Sequence, residues 1–251
     1  MGKIIAVVNQ KGGVGKTTTT VNLTAALTEA GKKVLMCDFD PQANATSGLG
    51  VDKKKAKHSV YDVIINDTPP REAIIETKYG DVLPSGADLA GAGVELLTME
   101  QPHYRLKTAL SAVKEDYDYI FIDCPPSLEL LTINGLAAAD GILVPVQCEY
   151  YALEGLSDLM STLRMIKHRI NPALEVFGVA LTMFDGRTNF STQVAQEVRR
   201  HFPGRVFATV IPRNIRLAEA PSHGLPVTAY DRSSRGAISY RELAAEVFKK
   251  L

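Results

Sequence analysis

Tryptophan is absent from this chain of 251 residues, aromatics make up only 7% of it, and cysteine occurs three times. Each scarcity excludes something. Cys37, Cys124 and Cys148 are odd in number, far apart and never in a Cys-x-x-Cys pair. Three buried, reduced thiols are expected, rather than a disulfide scaffold or a zinc site. Long apolar runs are missing too, and none approaches the roughly 20 residues that span a bilayer. The opening Met1-Gly2-Lys3-Ile4-Ile5-Ala6 has too short an apolar run for a signal peptide, and Ala6 stands where a myristoylation signal has Ser or Thr. An excess of one charge is likewise absent: 28 Lys and Arg balance 28 Asp and Glu. A histone-like, polybasic binder is thereby excluded, whereas a locally basic face is not. A cytoplasmic protein with no membrane partner is expected.

What the chain has is one alternation of short apolar runs and longer helical ones, without repeats or low-complexity tracts. Strands are expected over residues 4–8, 34–37, 119–122, 142–146, 176–181 and 206–211. Helices are expected over 17–30, with Gly31 as the stop, over about 149–170, over 190–202, and from about 237 onward. Leu153, Leu156, Met160, Leu163, Ile166 and Ile170 form the apolar stripe of the second helix, and Leu243, Val247 and Leu251 read as core packing in the last. Continuous apolar strands are buried on both faces, and strand–helix–strand order means parallel pairing with right-handed crossovers. The predicted fold is α/β: a single domain over 1–251, a mostly parallel twisted sheet with helices on both faces. The chain reaches its first strand within three residues, so no N-terminal helix-turn-helix is expected. Residues 41–117 are the least regular, and Lys53, Lys54, Lys55 and Lys57 read as a solvated loop.

Open α/β sheets bind ligands at the carboxyl ends of their strands. The strongest motif starts at such an end: Asn9-Gln10-Lys11-Gly12-Gly13-Val14-Gly15-Lys16-Thr17-Thr18 follows a buried strand and opens a helix. Three glycines permit a tight turn with N–H groups pointing inward, and the helix N-terminus adds its positive dipole end. Lys16 supplies charge for the β- and γ-phosphates, and the Thr17 hydroxyl suits Mg²⁺. The strict Gly-x4-Gly-Lys-Ser/Thr pattern fails by one position, where Gln10 replaces the first Gly. Lys11 beside the double glycine is either a surface lysine or a second cation. The expectation is a lysine inserted into the nucleotide site of a partner subunit, as an arginine finger is.

Two further strands end in carboxylates: Asp38 and Asp40 after residues 34–37, and Asp123 after 119–122. An apolar run ending in Asp is the pattern of a Walker B strand, whose carboxylate holds the Mg²⁺ shell. No Gln or Glu follows Asp123 directly, so Asp40 is expected to position the attacking water. Asp38 would orient Mg²⁺ waters or brace the loop.

These residues together resemble the ParA/Soj chromosome-partitioning ATPases. Lys11 to Thr18 is a deviant Walker A motif with its signature lysine. Asp38-Phe39-Asp40-Pro41-Gln42-Ala43-Asn44-Ala45-Thr46 is similar to the family's second acidic motif, and Asp123-Cys124-Pro125-Pro126-Ser127 to its Walker B. Pro145-Val146-Gln147-Cys148-Glu149-Tyr150-Tyr151-Ala152-Leu153-Glu154-Gly155 and Ile211-Pro212-Arg213-Asn214-Ile215-Arg216-Leu217-Ala218-Glu219-Ala220-Pro221-Ser222 are more specific to it. The resemblance implies ATP and ADP as ligands, Mg²⁺ as cofactor, and a homodimer closed by ATP in which each Lys11 reaches the other's site. It also implies DNA binding without sequence preference, and a ParB/Spo0J-type centromere protein that stimulates hydrolysis and releases the DNA on the bacterial nucleoid. Its phosphate contacts would come from Lys11, Gly12, Gly13, Val14, Gly15, Lys16, Thr17 and Thr18. Thr17, Asp38 and Asp123 would serve the metal, and Pro212 and Asn214 would face adenine, whose edge an Asn amide can match.

Charge is unevenly spread. Residues 187–251 hold eleven Lys or Arg against five Asp or Glu, and most of the cations are arginines. Arginine suits phosphate through its two-pronged fork, and phosphate contacts carry no sequence information. The resemblance singles out Arg187 and Arg216 as the DNA contacts. Three rivals share the phosphate motif: a MinD-like membrane ATPase, an iron–sulfur reductase, and a metabolic transferase that uses ATP to activate a small acid.

Overall fold

The computed structural model describes residues 2–127, 129–149 and 152–250, with 152–158 described by their backbone. Seven strands, β1 (Lys3–Val7), β2 (Val34–Asp38), β3 (Asp81–Leu83), β4 (Tyr119–Asp123), β5 (Gly141–Gln147), β6 (Glu175–Phe184) and β7 (Val206–Pro212), form one sheet in the order β3-β2-β4-β1-β5-β6-β7. Every pairing between named strands is parallel. The helices are α1 (Lys16–Glu29), α2 (Asn44–Gly48), α3 (Val60–Ile65), α4 (Pro70–Ala73), α5 (Leu89–Leu96), α6 (Arg105–Ser111), α7 (Leu130–Ala138), α8 (Ala152–Arg169), α9 (Asn189–His201), α10 (Ile215–Glu219), α11 (Val227–Tyr230) and α12 (Arg235–Phe248).

The side-chain period of two divides each central strand between two cores. On β1, Ile4 and Ala6 join a core covered by α3 to α9, while Ile5 and Val7 join one covered by α1 and α10 to α12. β4 behaves the same way, with Ile120 and Ile122 on one side and Tyr119 and Phe121 on the other. This two-sided burial is why the strands read as continuous apolar runs. Gly31, at φ +81°, ends α1 in the left-handed conformation its lack of a Cβ permits. Leu243 and Val247 of α12 are fully buried, as core packing requires. Leu251 lies outside the described residues, as do Tyr150 and Tyr151. Leu153 and Leu156 of the α8 stripe lie outside the described side chains, whereas Leu163 and Ile166 are buried.

Residues 41–117, the least regular part of the sequence, are built of short elements. They hold the three-residue edge strand β3 and five helices of four to eight residues. Lys53, Lys54, Lys55 and Lys57 are exposed there, as a solvated loop demands.

Candidate functional site

The β1–α1 connection is fastened on both sides before it turns. Asn9, buried, donates Nδ2 to the Pro145 carbonyl at 2.8 Å and accepts the Lys11 N–H on Oδ1 at 3.0 Å. Gly13 and Gly15 then take φ of +76° and +89°, a conformation side chains rarely adopt. A Cβ at Gly12 or Gly13 would meet nothing within 4 Å, so the cradle opens outward there. α1 begins at Lys16 with no side-chain cap, which leaves the amino end of the helix to the loop. Thr182, at the end of β6, donates Oγ1 to the Val14 carbonyl at 2.8 Å and pins the crown of the loop.

Lys16 is buried, and its Nζ donates to the Lys11 carbonyl at 3.2 Å. Burial lowers its pKa, and the carboxylate of Asp123 opposes that shift. Thr17 and Thr20 lie three apart on one face of α1 and share a single acceptor. Thr17 Oγ1 donates to Asp123 Oδ2 at 2.7 Å and Thr20 Oγ1 to Oδ1 at 2.9 Å. Asp123 ends β4 in register with Asp38, which ends β2. Both carboxylates are buried, and burial raises the pKa of each.

Asp38 faces the second motif rather than the threonine pair. Its Oδ2 accepts the N–H and the hydroxyl of Thr46, both at 2.7 Å, and its Oδ1 lies 3.3 Å from the Asp40 N–H. The Ser85 N–H donates to Thr46 Oγ1 at 3.0 Å, and Ser85 Oγ donates to the Asp40 carbonyl at 2.8 Å. Asp40 is therefore held by its backbone. Its carboxylate is half-buried and accepts only the Gln42 N–H, at 3.0 Å, among the described residues. A carboxylate so placed is available to a water.

Beside Gly15 and Thr18 lies a mainly apolar cavity of about 410 Å³, lined also by Met183, Ile211, Pro212, Asn214, Leu217 and Tyr240. Asn214 caps α10: its Oδ1 accepts the Arg216 N–H at 2.9 Å, which leaves the amide N–H groups to face a ligand. Met183 is held at φ +50° where it lines this cavity, a strained backbone of the kind found at ligand sites. A roomier hollow of about 480 Å³ between α1 and α12 is a poorer site, because its Glu29 and Arg241 are already paired at 2.8 Å.

The fold thus brings the Lys11–Thr18 loop, Asp38, Asp40, Asp123, Pro212 and Asn214 to one carboxyl edge of the sheet. Arg187 follows β6 and Arg216 follows β7 at that same edge, both paired with carboxylates. Thr20, Thr46, Ser85 and Thr182 hold the site together and were assigned no role from the sequence. Thr46 closes the second acidic motif and Thr20 lies three residues from Thr17, whereas Ser85 and Thr182 carried no signal.

The donor set suits a nucleotide with Mg²⁺. A hydroxyl and one carboxylate are hard oxygen ligands, and Mg²⁺ completes its shell with phosphate and water. Among the described residues no three His, Cys, Asp or Glu side chains gather to hold a metal, and such an ion needs no all-protein cage.

The chain matches the family model described as AAA domain over residues 2–176. The sporulation initiation inhibitor protein Soj of Bacillus subtilis (strain 168) is 56% identical over 249 residues, 98% of each chain. The chromosome partitioning protein ParA of Myxococcus xanthus is 49% identical over 252 residues, 100% of this chain and 89% of that one. A crystal structure of cobyrinic acid a,c-diamide synthase from Mycobacterium smegmatis with bound ADP and magnesium superposes with a TM-score of 0.87. It is 40% identical and covers 99% of this chain and 95% of that chain.

Proposed function

The chain belongs to the Soj/ParA family of chromosome-partitioning ATPases, and we propose that it is an ATP-driven DNA-partitioning switch. The observation that carries the nucleotide half is the convergence of Lys16, Thr17 and Asp123 at the mouth of the Gly13–Gly15 turn. Lys16 would leave the Lys11 carbonyl and turn its Nζ to the β- and γ-phosphates. Thr17 and Asp123 would hold Mg²⁺, which when bound neutralises phosphate charge. Pro212 and Asn214 would bound the adenine side, in the cavity next to Gly15.

Hydrolysis then needs a water in line with the γ-phosphoryl group. The half-buried Asp40 carboxylate is the group to orient it, and Ser85 keeps the Asp40 backbone still while it does so. Asp38 braces this segment through Thr46. Lys11 would enter the site of a second copy, so that a homodimer closes on ATP. Two copies of the Arg187 and Arg216 edge would then bind DNA together, with the gain that two linked contacts have over one. A ParB/Spo0J-type partner would stimulate hydrolysis and release the DNA, on the nucleoid in the cytoplasm.

A MinD-like membrane role would need an amphipathic helix free to lie on a bilayer, and α12 commits Leu243 and Val247 to the core. The small-acid transferase is the other rival. It requires turnover that depends on a small acid and ignores DNA.

One experiment separates these. The Asp40→Ala protein is co-sedimented with duplex DNA in ATP and in ADP at two salt concentrations. Salt-sensitive pelleting in ATP alone is the expected result. Pelleting that is absent, or equal in both nucleotides, defeats the switch.

A further inference from the structure

The two arginines that carry the DNA reading are engaged by carboxylates more fully than most of their neighbours. Arg187 donates to Asp185 from both prongs, Nε to Oδ1 at 2.9 Å and Nη2 to Oδ2 at 2.8 Å. Arg216 donates from Nη1 to Glu219 at 2.7 Å, and its Nε lies 3.3 Å from Asp231. Tyr230 steadies that Glu219 oxygen with its hydroxyl at 3.3 Å. Arg205, Arg213 and Arg232, from the same basic quarter, meet carboxylates only at 3.5, 3.6 and 3.3 Å. Two others are paired closely: Arg200 with Glu197 one turn before it on α9, an ordinary helix pair, and Arg241 from two nitrogens with Glu29, which ties α12 to α1 away from the carboxyl edge of the sheet.

A carboxylate set side-on to a guanidinium offers the planar, two-oxygen recognition that a phosphate diester offers. We infer that Asp185 and Glu219 are internal stand-ins for phosphate in the lone protomer, Asp185 holding both prongs of Arg187 and Glu219 one prong of Arg216 beside Asp231, and that they yield these arginines when DNA binds. The inference rests on the DNA reading above and adds what sets the affinity. Asp185 also has a local task, since its Oδ1 accepts the Arg187 backbone N–H at 3.1 Å and shapes the turn into α9. That task needs one neutral acceptor, whereas the side-on pairing needs two oxygens and a charge. Exposed pairs of this kind compete weakly, about threefold in affinity each. Two copies in a dimer multiply this to about tenfold. The competition keeps one protomer's grip on DNA poor and reserves binding for the state that presents both edges.

The test is a double-mutant cycle on the full chain with Mg-ATP and a labelled duplex of unrelated sequence, read by fluorescence anisotropy at two salt concentrations. Asp185→Asn, which keeps the turn acceptor, is expected to tighten binding about tenfold. In the Arg187→Ala background the same change is expected to do nothing. Equal tightening in both backgrounds overturns the inference, because the carboxylate then acts as a general negative charge. No tightening with Arg187 present overturns it as well. Glu219→Gln with and without Arg216→Ala repeats the cycle at the second arm, so a misfolded variant at one arm does not end the test. If no protein, wild type included, retains DNA in any nucleotide, the DNA reading itself falls and this inference with it. That outcome is distinct from the other two, in which the wild type binds.

Discussion

Two polar regions share the carboxyl edge of the sheet, and they are built on opposite principles. Around Asp123 and Asp38 the carboxylates are buried, and each oxygen has a hydroxyl or N–H within hydrogen-bonding reach. Around Arg187 and Arg216 the guanidinium groups face water and pair with half-buried carboxylates; the Arg187 side chain is 89% exposed. A buried network is fixed by the fold, strong where satisfied, and costly where a charge stays dry. An exposed network is adjustable, because salt, water and a competing phosphate can each replace a partner. The first kind suits chemistry, which needs groups held still. The second suits reversible binding.

The comparison breaks first if the buried region tolerates loss of its members. Asp40→Ala is expected to keep ATP binding, to slow hydrolysis about 10²- to 10⁴-fold, and to accumulate a dimer on gel filtration in ATP. An unchanged monomer with normal turnover removes Asp40 from the water. Lys16→Ala is expected to weaken nucleotide binding about 100-fold by calorimetry, the value of a charge-assisted contact. A loss below about tenfold would leave the loop N–H groups as the main phosphate ligands.

The same comparison sharpens through stability. Burial lifts the Asp123 carboxyl from 3.8 to about 7, and the neighbouring Asp38 charge adds to the lift, against the opposing bonds from Thr17 and Thr20. The native protein therefore keeps protons that the unfolded chain has already released between about pH 4 and pH 7. Stability of the nucleotide-free protein falls as pH rises through that window. Asp123→Asn is expected to flatten the fall and raise the melting temperature at pH 7.5 by a few degrees, while abolishing the stabilisation by Mg-ATP. Melting curves in EDTA between pH 5 and pH 8 check this. A lower melting temperature would mean that the bonds from Thr17 and Thr20 outweigh the cost of drying the charge.

How far each region was legible in the sequence follows from the same contrast. The six long strands, the phosphate loop and the strand-ending carboxylates were legible, because continuous apolar runs and a Gly-rich turn are local patterns. β3 was not, since three residues at an edge show no period. The helices between 41 and 117 are shorter than the window that periodicity needs. The spacing Asp38-x-Asp40 did not show what holds each carboxylate in place. The answer lies in the register of β2 with β4 and in Thr46, eight residues away. Thr182 reaches Val14 across 168 positions and Ser85 reaches Asp40 across 45, and hydroxyl residues carry no pattern that announces such contacts. The Asp185-x-Arg187 pair was present in the sequence, but the side-on geometry that gives it meaning was not.

The smallest expected effect belongs to the exposed region. Arg187→Ala and Arg216→Ala are each expected to weaken DNA binding about threefold to tenfold, alike on every duplex sequence, and to lower the salt slope by about one per arm. Uniform loss is the signature of a phosphate contact. Loss confined to some sequences would assign the arginine to base edges and would demand a groove-inserted element, which the exposed turns before α9 and at the start of α10 do not supply. The modest size is itself part of the argument. On the proposed reading each arginine would exchange a carboxylate for a phosphate on binding, so removing it would forfeit only the difference between two similar partners. The buried Lys16 has no comparable substitute, because the Lys11 carbonyl that it leaves is neutral. Equal losses for Lys16 and Arg187, each measured on its own ligand, would erase the distinction between the two regions.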